Sequence, residues 1–325
     1  MQIVDFTEKQ IEQAILIGRQ NYDAEREYAA VLPPVDIWPD MCGFAENGLG
    51  VAAFEGERML GFLCCYPPFN NAFQSTDATG VFSPIHGNGA IAEGKGEIYA
   101  RMYQAAAEKW VKAKASSHAV SLYAHDTVAQ EQFFRYGFGI RCMDAIRPME
   151  EIRPMVETIP QNCPQDCSQY TFRELTPDEF ILAYPLYAML GEHMACSPSF
   201  MVHSHSQETF YDSITDESRF FAALNGNKII AFLRIANSGE TFITDASDLR
   251  YVDGAYCLPE YRGTGIYKSL LNFVIGTLRK EGFKRFGVDF ESINPTAYRF
   301  WSKYFSIYTH SVVRRVDEYC IRQLE

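Results

Sequence analysis

An internal repeat is the feature that most restricts how this chain can fold. The segments "RMLGFLCCY", from Arg58, and "KIIAFLRIA", from Lys228, each follow a short apolar strand pattern and a polar turn, "EGE" or "NGN". In each copy a Gly-x-Gly that ends at Gly96 or Gly265 opens a helical pattern, and an alanine-aromatic helix follows later, "DTVAQEQFFRYGF" or "NPTAYRFWSKYF". The separation between paired landmarks stays nearly constant, which predicts one structural unit present twice.

Each copy predicts the order helix, hairpin, strand, helix, strand, helix, strand, because strand-like and helix-like apolar periods alternate along it. The predicted fold class is therefore α/β. Between the copies, residues 151–168 hold three prolines and few apolar residues. Proline interrupts both helices and central strands. We predict a first domain at residues 1–150, a linker at 151–168 and a second domain at 169–325.

Composition limits the partners of the chain. Its 325 residues carry a formal net charge of −12, which disfavours a nucleic-acid-binding role and favours a small cationic partner. The nine cysteines are irregularly spaced, as in proteins of reducing compartments. No apolar run is long enough for a membrane span, and Asp5 and Glu8 are unlike a signal peptide. We therefore expect a cytoplasmic protein with a small-molecule substrate and no nucleic-acid or membrane partner.

The stretch "LPEYRGTGIYKSLL", residues 258–271, places two glycines at a helix N-terminus. A strand pattern ends before Pro259, and an apolar face from Ile266 to Leu278 predicts the helix. The first turn of a helix offers N–H groups and a positive dipole end, and glycine lets an anion approach the backbone. The loop is thus a candidate phosphate site. It lacks the Gly-Lys-Ser/Thr of a Walker loop and the third glycine of a dinucleotide fingerprint.

These residues resemble the acetyl-CoA loop of the GNAT N-acetyltransferase superfamily, whose pattern is Arg/Gln-x-x-Gly-x-Gly/Ala after a strand that ends in proline. Arg262 and Gly265 match the pattern, and Gly263 is the usual second residue. The family's later Asn-x-x-Ala-x-x-Phe-Tyr-x-Lys motif is matched, with one change, at Asn294, Ala297, Phe300, Trp301 and Lys303. The resemblance is strong over residues 219–320 and moderate over 1–150. The whole chain resembles a tandem GNAT protein.

The resemblance implies a fold and a ligand position. Each domain would be a mixed, splayed β-sheet flanked by helices, with acetyl-CoA as co-substrate and no metal. The pyrophosphate would lie on the loop amides, and the pantetheine arm would pair with backbone at the end of the preceding strand. The implied cofactor-binding residues are Cys257, Leu258, Arg262, Gly263, Thr264, Gly265, Ile266, Tyr267 and Asn294.

The corresponding loop of the first copy is poorly suited to a phosphate. No arginine or glutamine precedes Gly94, and Glu93 and Glu97 flank the glycines. Two carboxylates at this position would repel a pyrophosphate. We interpret the first copy as a degenerate, non-catalytic GNAT-like domain.

The second copy departs from the family pattern at three positions. Tyr267 stands where the loop usually ends in Gly or Ala, Trp301 replaces the tyrosine that often serves as general acid, and Phe305 replaces a glycine. Tyr304 is then the candidate acid, with Tyr256 as the other nearby tyrosine.

A base is also needed, because the attacking amine has to lose a proton. Asp253, on the strand before the loop, is the candidate. Asp289 and Glu291, at the end of the next strand, are the alternatives.

The resemblance implies acetyl transfer from acetyl-CoA to a primary amine of a small acceptor, by direct attack in a ternary complex. A non-catalytic acyl-CoA sensor is the alternative, since Trp301 also fits a loss of chemistry. A third reading, an aminoacyl-tRNA-dependent transferase, is disfavoured by the acidic charge and the intact loop. The histidine-rich stretch 193–207 is either a plain polar loop or an acceptor contact, and its spacing does not match a zinc site.

Overall fold

The computed structural model describes residues 1–74, 78–152, 169–202 and 205–323. The chain divides into two compact units. Unit 1 comprises Met1–Asp144, Phe290–Tyr298 and Ser306–Glu325, and unit 2 comprises Ala145–Asp289 and Arg299–Phe305. The predicted linker, residues 151–168, lies outside the described residues from position 153 onward.

The first half of the chain forms β1 (Gln2–Asp5), α1 (Ile11–Tyr28), α2 (Cys42–Glu46), β2 (Val51–Glu55), β3 (Arg58–Leu63), β4 (Gly80–Ser83), β5 (Asn88–Ala90), α3 (Lys95–Lys112), β6 (Ser117–Tyr123), α4 (Thr127–Arg135) and β7 (Gly139–Pro148). The second half forms β8 (Tyr170–Glu174), α5 (Tyr184–Ala195), α6 (Gln207–Asp212), β9 (Arg219–Asn225), β10 (Lys228–Ala236), β11 (Leu249–Cys257), α7 (Ile266–Lys280), β12 (Arg285–Glu291), α8 (Pro295–Tyr304), β13 (Ser306–Ile307), β14 (Thr309–Arg315) and α9 (Glu318–Arg322). Both halves contain a hairpin, strand, helix, strand, helix and strand in that order, after at least one helix. This order confirms the predicted α/β fold. Among the described residues, no helix is both long and apolar enough to cross a membrane.

Unit 1 contains an antiparallel sheet with the strand order β1-β2-β3-β5. A second set of strands follows the order β4-β6-β14-β7, with β4 parallel to β6 and β14 antiparallel to both of its neighbours. Strand β6 is buried along its whole length, as expected for a strand with neighbours on both sides. The last strand of the chain, which the repeat assigned to the second domain, therefore lies inside a sheet of unit 1.

The strand that follows the β2–β3 hairpin is interrupted in unit 1. Strand β4 pairs with β6 as far as Ser83, and β5 pairs with β3 from Asn88 onward. Residues 84–87 form a turn between them, closed by a 2.8 Å hydrogen bond from the Gly87 N–H to the Pro84 carbonyl. Proline has no N–H for a ladder hydrogen bond, so it favours this break. The two sheets of unit 1 separate at the turn.

A buried histidine lies in the core of unit 1. His118 of β6 packs edge-on against Trp110 at 5.1 Å between ring centroids. Its Nδ1 accepts a hydrogen bond from the Tyr103 hydroxyl at 2.9 Å, and its Nε2–H donates to the Ala115 carbonyl at 3.2 Å. The two bonds select a neutral ring with its hydrogen on Nε2. Burial lowers the pKa of His118 to about 4.

We expect unit 1 to lose stability in acid, and His118→Gln to remove part of this loss. A histidine whose folded-state pKa is depressed stabilises the fold above its unfolded pKa, and this contribution disappears as pH falls from about 6.5 towards 4. Between about pH 8 and about pH 5 the loss for one such histidine is about 2 kcal/mol. Urea unfolding at both pH values should give a pH dependence smaller by that amount in the variant. An identical dependence in both proteins would contradict the neutral, buried state.

Other groups of unit 1 add to this pH dependence. Burial also lowers the pKa of His86 to about 4 and lowers the pKa of His310. The buried Glu25 acts in the opposite direction, because burial raises its pKa and its ionised form is therefore disfavoured in the fold. Comparing the variant with the parent protein isolates His118, since these other groups are common to both.

Unit 2 is built around the strand order β12-β11-β10-β9-β8, in which only the β11–β12 pair is parallel. Helices cover both faces of this sheet. Consecutive side chains of a strand point to opposite faces, so neighbouring residues contact different helices. On β9, Phe221 contacts Phe273 of α7 at 6.3 Å between ring centroids, whereas Phe220 contacts Phe210 of α6 at 5.8 Å. The apolar face predicted for α7 is buried at Ile266, Leu270, Leu271, Val274, Ile275 and Leu278.

Candidate active site

The sheet of unit 2 opens between β11 and β12. The parallel ladder runs from the Leu249–Arg285 pair to the Val252–Val288 pair and then ends. Strand β11 continues to Cys257 with β10 as its partner on the other side. The edge of β11 beyond Val252 therefore has no strand partner among the described residues, and its backbone can pair with an extended ligand.

A β-bulge lies where the two strands separate. The β10–β11 register shifts between Arg234 and Ile235, which pair with Gly254 and Val252, so Asp253 is an extra residue on β11. Bulges are common next to active sites, because they change the direction of a side chain. The sequence placed Asp253 on the correct strand but contained no signal for the bulge.

Arg234 stabilises the bulge from the neighbouring strand. Its Nε and Nη2 donate to the Asp253 carbonyl at 3.2 and 2.8 Å, and its Nη2 also contacts Oδ2 of Asp253 at 2.9 Å. Its Nη1 donates to Oγ of Ser213 at 2.6 Å. Arg234 is 9% exposed. Sequence reasoning missed this residue, although a single arginine inside the apolar run "KIIAFLRIA" was a usable signal.

The electrostatic surroundings suit Asp253 to proton transfer. Its side chain is 46% exposed, so it is open to solvent on one side. Partial burial raises the pKa of Asp253 above its usual value, and the nearby Arg234 opposes this shift. Burial, and the negative charge of Asp253, also raise the pKa of Glu240. The two carboxylates therefore lie close enough to interact, and together they favour a positively charged group.

The loop after β11 has the geometry of an anion cradle. Gly263 has φ +77° and Gly265 has φ +89°, and both values lie in the left-handed region that favours glycine. A Cβ built at either position would meet no atom within 4 Å, so the space above the loop is open. The first i→i−4 bond of α7 runs from the Ser269 N–H to the Gly265 carbonyl. The N–H groups of Ile266 and Tyr267, in the first turn, have no carbonyl partner within the helix.

Arg262 holds the turn between β11 and this loop. Its Nε donates to the Cys257 carbonyl at 2.9 Å, and its guanidinium lies 5.1 Å from the centroid of the Tyr256 ring. Thr264 closes the other side of the turn with a 2.7 Å hydrogen bond from Oγ1 to the Tyr261 carbonyl. The arginine charge thus lies at the start of the loop, as the sequence predicted.

The backbone of β11 presents alternate residues to its two edges. The Leu258 N–H donates to the Ile230 carbonyl of β10 at 3.0 Å. Because N–H directions alternate along a strand, the N–H groups of Cys257 and Ala255 point to the edge where the sheet opens. An extended ligand would therefore find its partners at Cys257 and Ala255, and not at the Leu258 N–H. The Cys257 side chain is buried, which raises the pKa of its thiol to about 11.

Two of the aromatic residues that depart from the family pattern lie close together, Tyr267 in α7 and Trp301 in α8. Tyr267 points towards α8, with its ring 4.8 Å from Phe300 and 6.3 Å from Trp301. Its hydroxyl is buried and has no hydrogen-bond partner among the described residues, and burial raises its pKa well above the usual value. Trp301 is 4% exposed and packs on Phe305 at 5.3 Å, so it is a core residue. Tyr267 and Trp301 therefore both pack against other aromatic side chains.

Three further residues singled out from the sequence have contacts of their own: the candidate acid Tyr304, the alternative base Glu291, and Asn294. Tyr304 stacks edge-on against Phe300 at 5.1 Å, and its carbonyl accepts from Nη1 of Arg147 at 3.3 Å. Glu291, in unit 1, forms an ion pair with Arg141 at 3.3 Å. Asn294, also in unit 1, accepts hydrogen bonds from the N–H groups of Thr296 and Ala297 at 3.1 and 3.3 Å. The Asn294 side chain thus caps α8.

The stretch 193–207 is described except for residues 203 and 204. His193, near the end of α5, contacts Tyr256 edge-on at 6.4 Å, which brings one of its histidines next to β11. His205 packs against Tyr187 at 4.6 Å. In the part of the chain that the structure describes, no three His, Cys, Asp or Glu side chains are grouped to hold a metal.

The glycine loop of unit 1 differs from that of unit 2. Helix α3 begins at Lys95, after Gly94 with φ +67°. The Lys95 Nζ is bound to Oδ2 of Asp126 at 2.6 Å, and both side chains are largely buried. The cation of this loop is therefore already neutralised, while Glu93 and Glu97 remain beside it.

Comparison with known proteins shows which family and which structures the chain resembles. Residues 186–306 match the family model "Acetyltransferase (GNAT) family". Among solved structures, a GCN5-related N-acetyltransferase from Sphaerobacter thermophilus covers 96% of this chain and 95% of its own, with a TM-score of 0.57 and 12% identity. A functionally unknown conserved protein from Staphylococcus epidermidis ATCC 12228 covers 79% of this chain and 92% of its own, with a TM-score of 0.46 and 11% identity. No curated protein is significantly similar to the chain in sequence.

The fold and the family match agree. The chain has the GNAT fold, with mixed sheets flanked by helices, as the sequence predicted. Residues 186–306, which match the GNAT family model, contain the strand opening, the bulge and the glycine loop. The candidate site therefore lies within the part of the chain that resembles this family.

Proposed function

We propose that this protein transfers an acetyl group from acetyl-CoA to a primary amine of a small acceptor, by direct attack in a ternary complex. The observation that carries the proposal is the opening of β11 from β12 at Val252, followed at once by the bulged Asp253 and the glycine loop. A single strand thus supplies an open backbone edge, a carboxylate and an anion cradle. The co-substrate would supply the acetyl group as an activated thioester.

The residues of the loop fit this co-substrate. The open space above Gly263 and Gly265, and the positive end of the α7 dipole, suit a pyrophosphate. The N–H groups of Ala255 and Cys257 would bind the pantetheine arm as an added strand. The same row of N–H groups would orient the acetyl carbonyl and stabilise negative charge on its oxygen.

Asp253 would accept the proton of the attacking amine, directly or through a water molecule. The bulge places this carboxylate at the strand opening, and Arg234 fixes its backbone carbonyl. The nearby Glu240 would add negative charge that attracts a protonated amine. Tyr304 remains the candidate proton donor for the departing thiolate, with Tyr256, which lies on β11, as the other tyrosine.

A screen of amines tests this function. Small primary amines, aminoglycosides, amino acids and short peptides would be incubated with acetyl-CoA, and free thiol would be measured. We expect thiol release that depends on both the amine and the enzyme, with an N-acetylated product in mass spectrometry. Absence of release across these amine classes, from protein that binds acetyl-CoA, would contradict the proposed enzyme.

A non-catalytic acyl-CoA sensor is a second candidate, and one observation favours it. Trp301, at the position of the usual acid, is 4% exposed and part of an aromatic core, so it serves packing instead of proton donation. A sensor would bind acetyl-CoA with the same loop and release no thiol with any amine. The amine screen therefore separates the two functions.

We expect one acetyl-CoA to bind per chain. In the proposed tandem arrangement, unit 1 carries the degenerate copy, because its loop lysine is paired with Asp126 and two glutamates flank the glycines. Isothermal titration calorimetry of the full chain should give a stoichiometry near one. Two equivalent sites per chain would contradict the interpretation of unit 1 as a degenerate copy.

A further inference from the structure

Unit 1 contains a pocket of about 510 Å³ that the proposed acetyl transfer does not use. Its lining includes three aromatic rings, two carboxylates and one carboxamide, from Phe44, Tyr66, His86, Asp40, Glu46 and Asn47. No lysine or arginine is among its lining residues. The volume lies in the usual range for small-molecule sites.

The three rings form one continuous aromatic wall. Their centroids are 5.4 Å apart for Phe44 and Tyr66, 5.5 Å for Phe44 and His86, and 6.3 Å for Tyr66 and His86. Cation–π attraction acts over the face of a ring, within about 6 Å of its centroid. Phe44 and His86 are 3% and 8% exposed, so Tyr66 is the ring that a cation can reach from solvent. Tyr66 is 42% exposed, so part of its surface is accessible from solvent.

The polar residues complete this wall with negative charge. Asp40 accepts a hydrogen bond from the Cys42 N–H at 3.0 Å, which lowers the pKa of its carboxyl and keeps it ionised. Glu46 lies at the end of α2, which also carries Phe44. His86 does not oppose a cation at neutral pH, because burial lowers its pKa to about 4. Two negative charges therefore stand beside the rings, and no lysine or arginine is among the residues that line the pocket.

The surrounding backbone holds the pocket in place. The Asn47 Nδ2 donates to the Cys65 carbonyl at 2.8 Å, next to Tyr66, and its Oδ1 accepts from the Leu49 N–H at 2.8 Å. His86 lies in the turn of residues 84–87, where the two sheets of unit 1 separate. The rings thus come from three segments that are fixed independently of a ligand.

From this arrangement we propose that the pocket is a binding site for a small organic cation, with an alkylated ammonium group resting on Tyr66, next to Phe44 and His86, and paired with Asp40 and Glu46. All of the pocket residues belong to unit 1, whereas the proposed acetyl-CoA loop belongs to unit 2. The proposal does not depend on acetyl transfer.

Calorimetric titration of the full chain with tetramethylammonium chloride tests the proposal, with tert-butanol as a neutral probe of similar shape. We expect saturable binding of tetramethylammonium at one site and no matching heat with tert-butanol. Tyr66→Ala should weaken tetramethylammonium binding by about tenfold or more, since it removes the most exposed ring. Tyr319→Ala, which removes a 69% exposed tyrosine of the same unit that does not line the pocket, should leave binding unchanged.

The outcomes decide the proposal even if one variant is destabilised. Should Tyr66→Ala unfold, Glu46→Gln and Asp40→Asn provide the second test, because asparagine keeps an acceptor for the Cys42 N–H while the charge is lost. Each of these should weaken tetramethylammonium binding and leave thermal unfolding largely unchanged. Equal binding of both probes, unchanged affinity in the charge variants, or no saturable binding of tetramethylammonium would each overturn the proposal.

Discussion

Gly265→Glu should abolish the stabilisation of this protein by acetyl-CoA. Gly265 has φ +89° and lies directly before the first turn of α7, with open space where a Cβ would stand. A glutamate there adds a carboxylate at the position proposed for the pyrophosphate, and like charges repel. At a ligand concentration of about 100 times Kd, the parent protein should gain about 2.7 kcal/mol of unfolding free energy, and the variant none. Urea unfolding with and without acetyl-CoA measures both values.

Gly282→Glu is the matched control for this experiment. Gly282 follows the other end of α7, has φ +100°, and also has no atom within 4 Å of a built Cβ. The control therefore introduces the same side chain and a comparable backbone strain, away from the loop. It should lose some stability but keep the full acetyl-CoA shift. A shift retained by Gly265→Glu would disprove the loop assignment, and a shift lost in both variants would point to general damage to α7.

The second large effect should come from Asp253→Asn. Turnover should fall by about 10² to 10⁴, the usual cost of removing a positioned base, while acetyl-CoA affinity stays unchanged. Asparagine keeps the shape of aspartate, and the contact of Arg234 with the backbone carbonyl of residue 253 does not depend on the side chain. Steady-state rates with the best amine of the screen, together with calorimetric Kd values, test both parts.

The pH profile should identify the base. In the parent protein kcat/KM should rise with pH, because the carboxylate has to be ionised and its pKa is raised above the usual value of aspartate. This limb should disappear in Asp253→Asn. Asp248→Asn is the matched control, since Asp248 is also paired with an arginine, Arg285, at 2.6 Å, but precedes β11. A loss below about tenfold in Asp253→Asn would assign deprotonation to Asp289, Glu291 or solvent.

The helices and hairpins of this fold could be predicted, because each depends on the pattern of apolar and polar residues within its own segment. The apolar period from Ile266 to Leu278 is sufficient to predict α7. The glycines before Ile266 are sufficient to predict the loop at the start of this helix. Polar turns between apolar runs predicted both hairpins. Interactions of this kind act between residues close together in the chain, and they are therefore visible in the sequence.

Strand partners and small irregularities could not be predicted, because they depend on residues that are far apart in the sequence. The extra residue at Asp253 depends on Arg234, whose side chain reaches across from β10. The orientation of Tyr267 depends on aromatic partners in α8 that are distant in sequence. The predicted assignment of β14 followed the repeat, whereas its neighbours in the structure are β6 and β7. Each of these features is decided by contacts between distant segments.

The position of β14 has a consequence for the order of folding during synthesis. Val312 of this strand pairs with Val120 of β6, and Ser311 pairs with Cys142 of β7, so the C-terminal strand separates two strands made much earlier. While the ribosome is still translating the second half, β6 has an open edge where β14 will later bind, and open edges attract other strands. The unit that leaves the ribosome first would therefore be completed last. Nascent chains of unit 1 would need protection from aggregation until β14 has been translated.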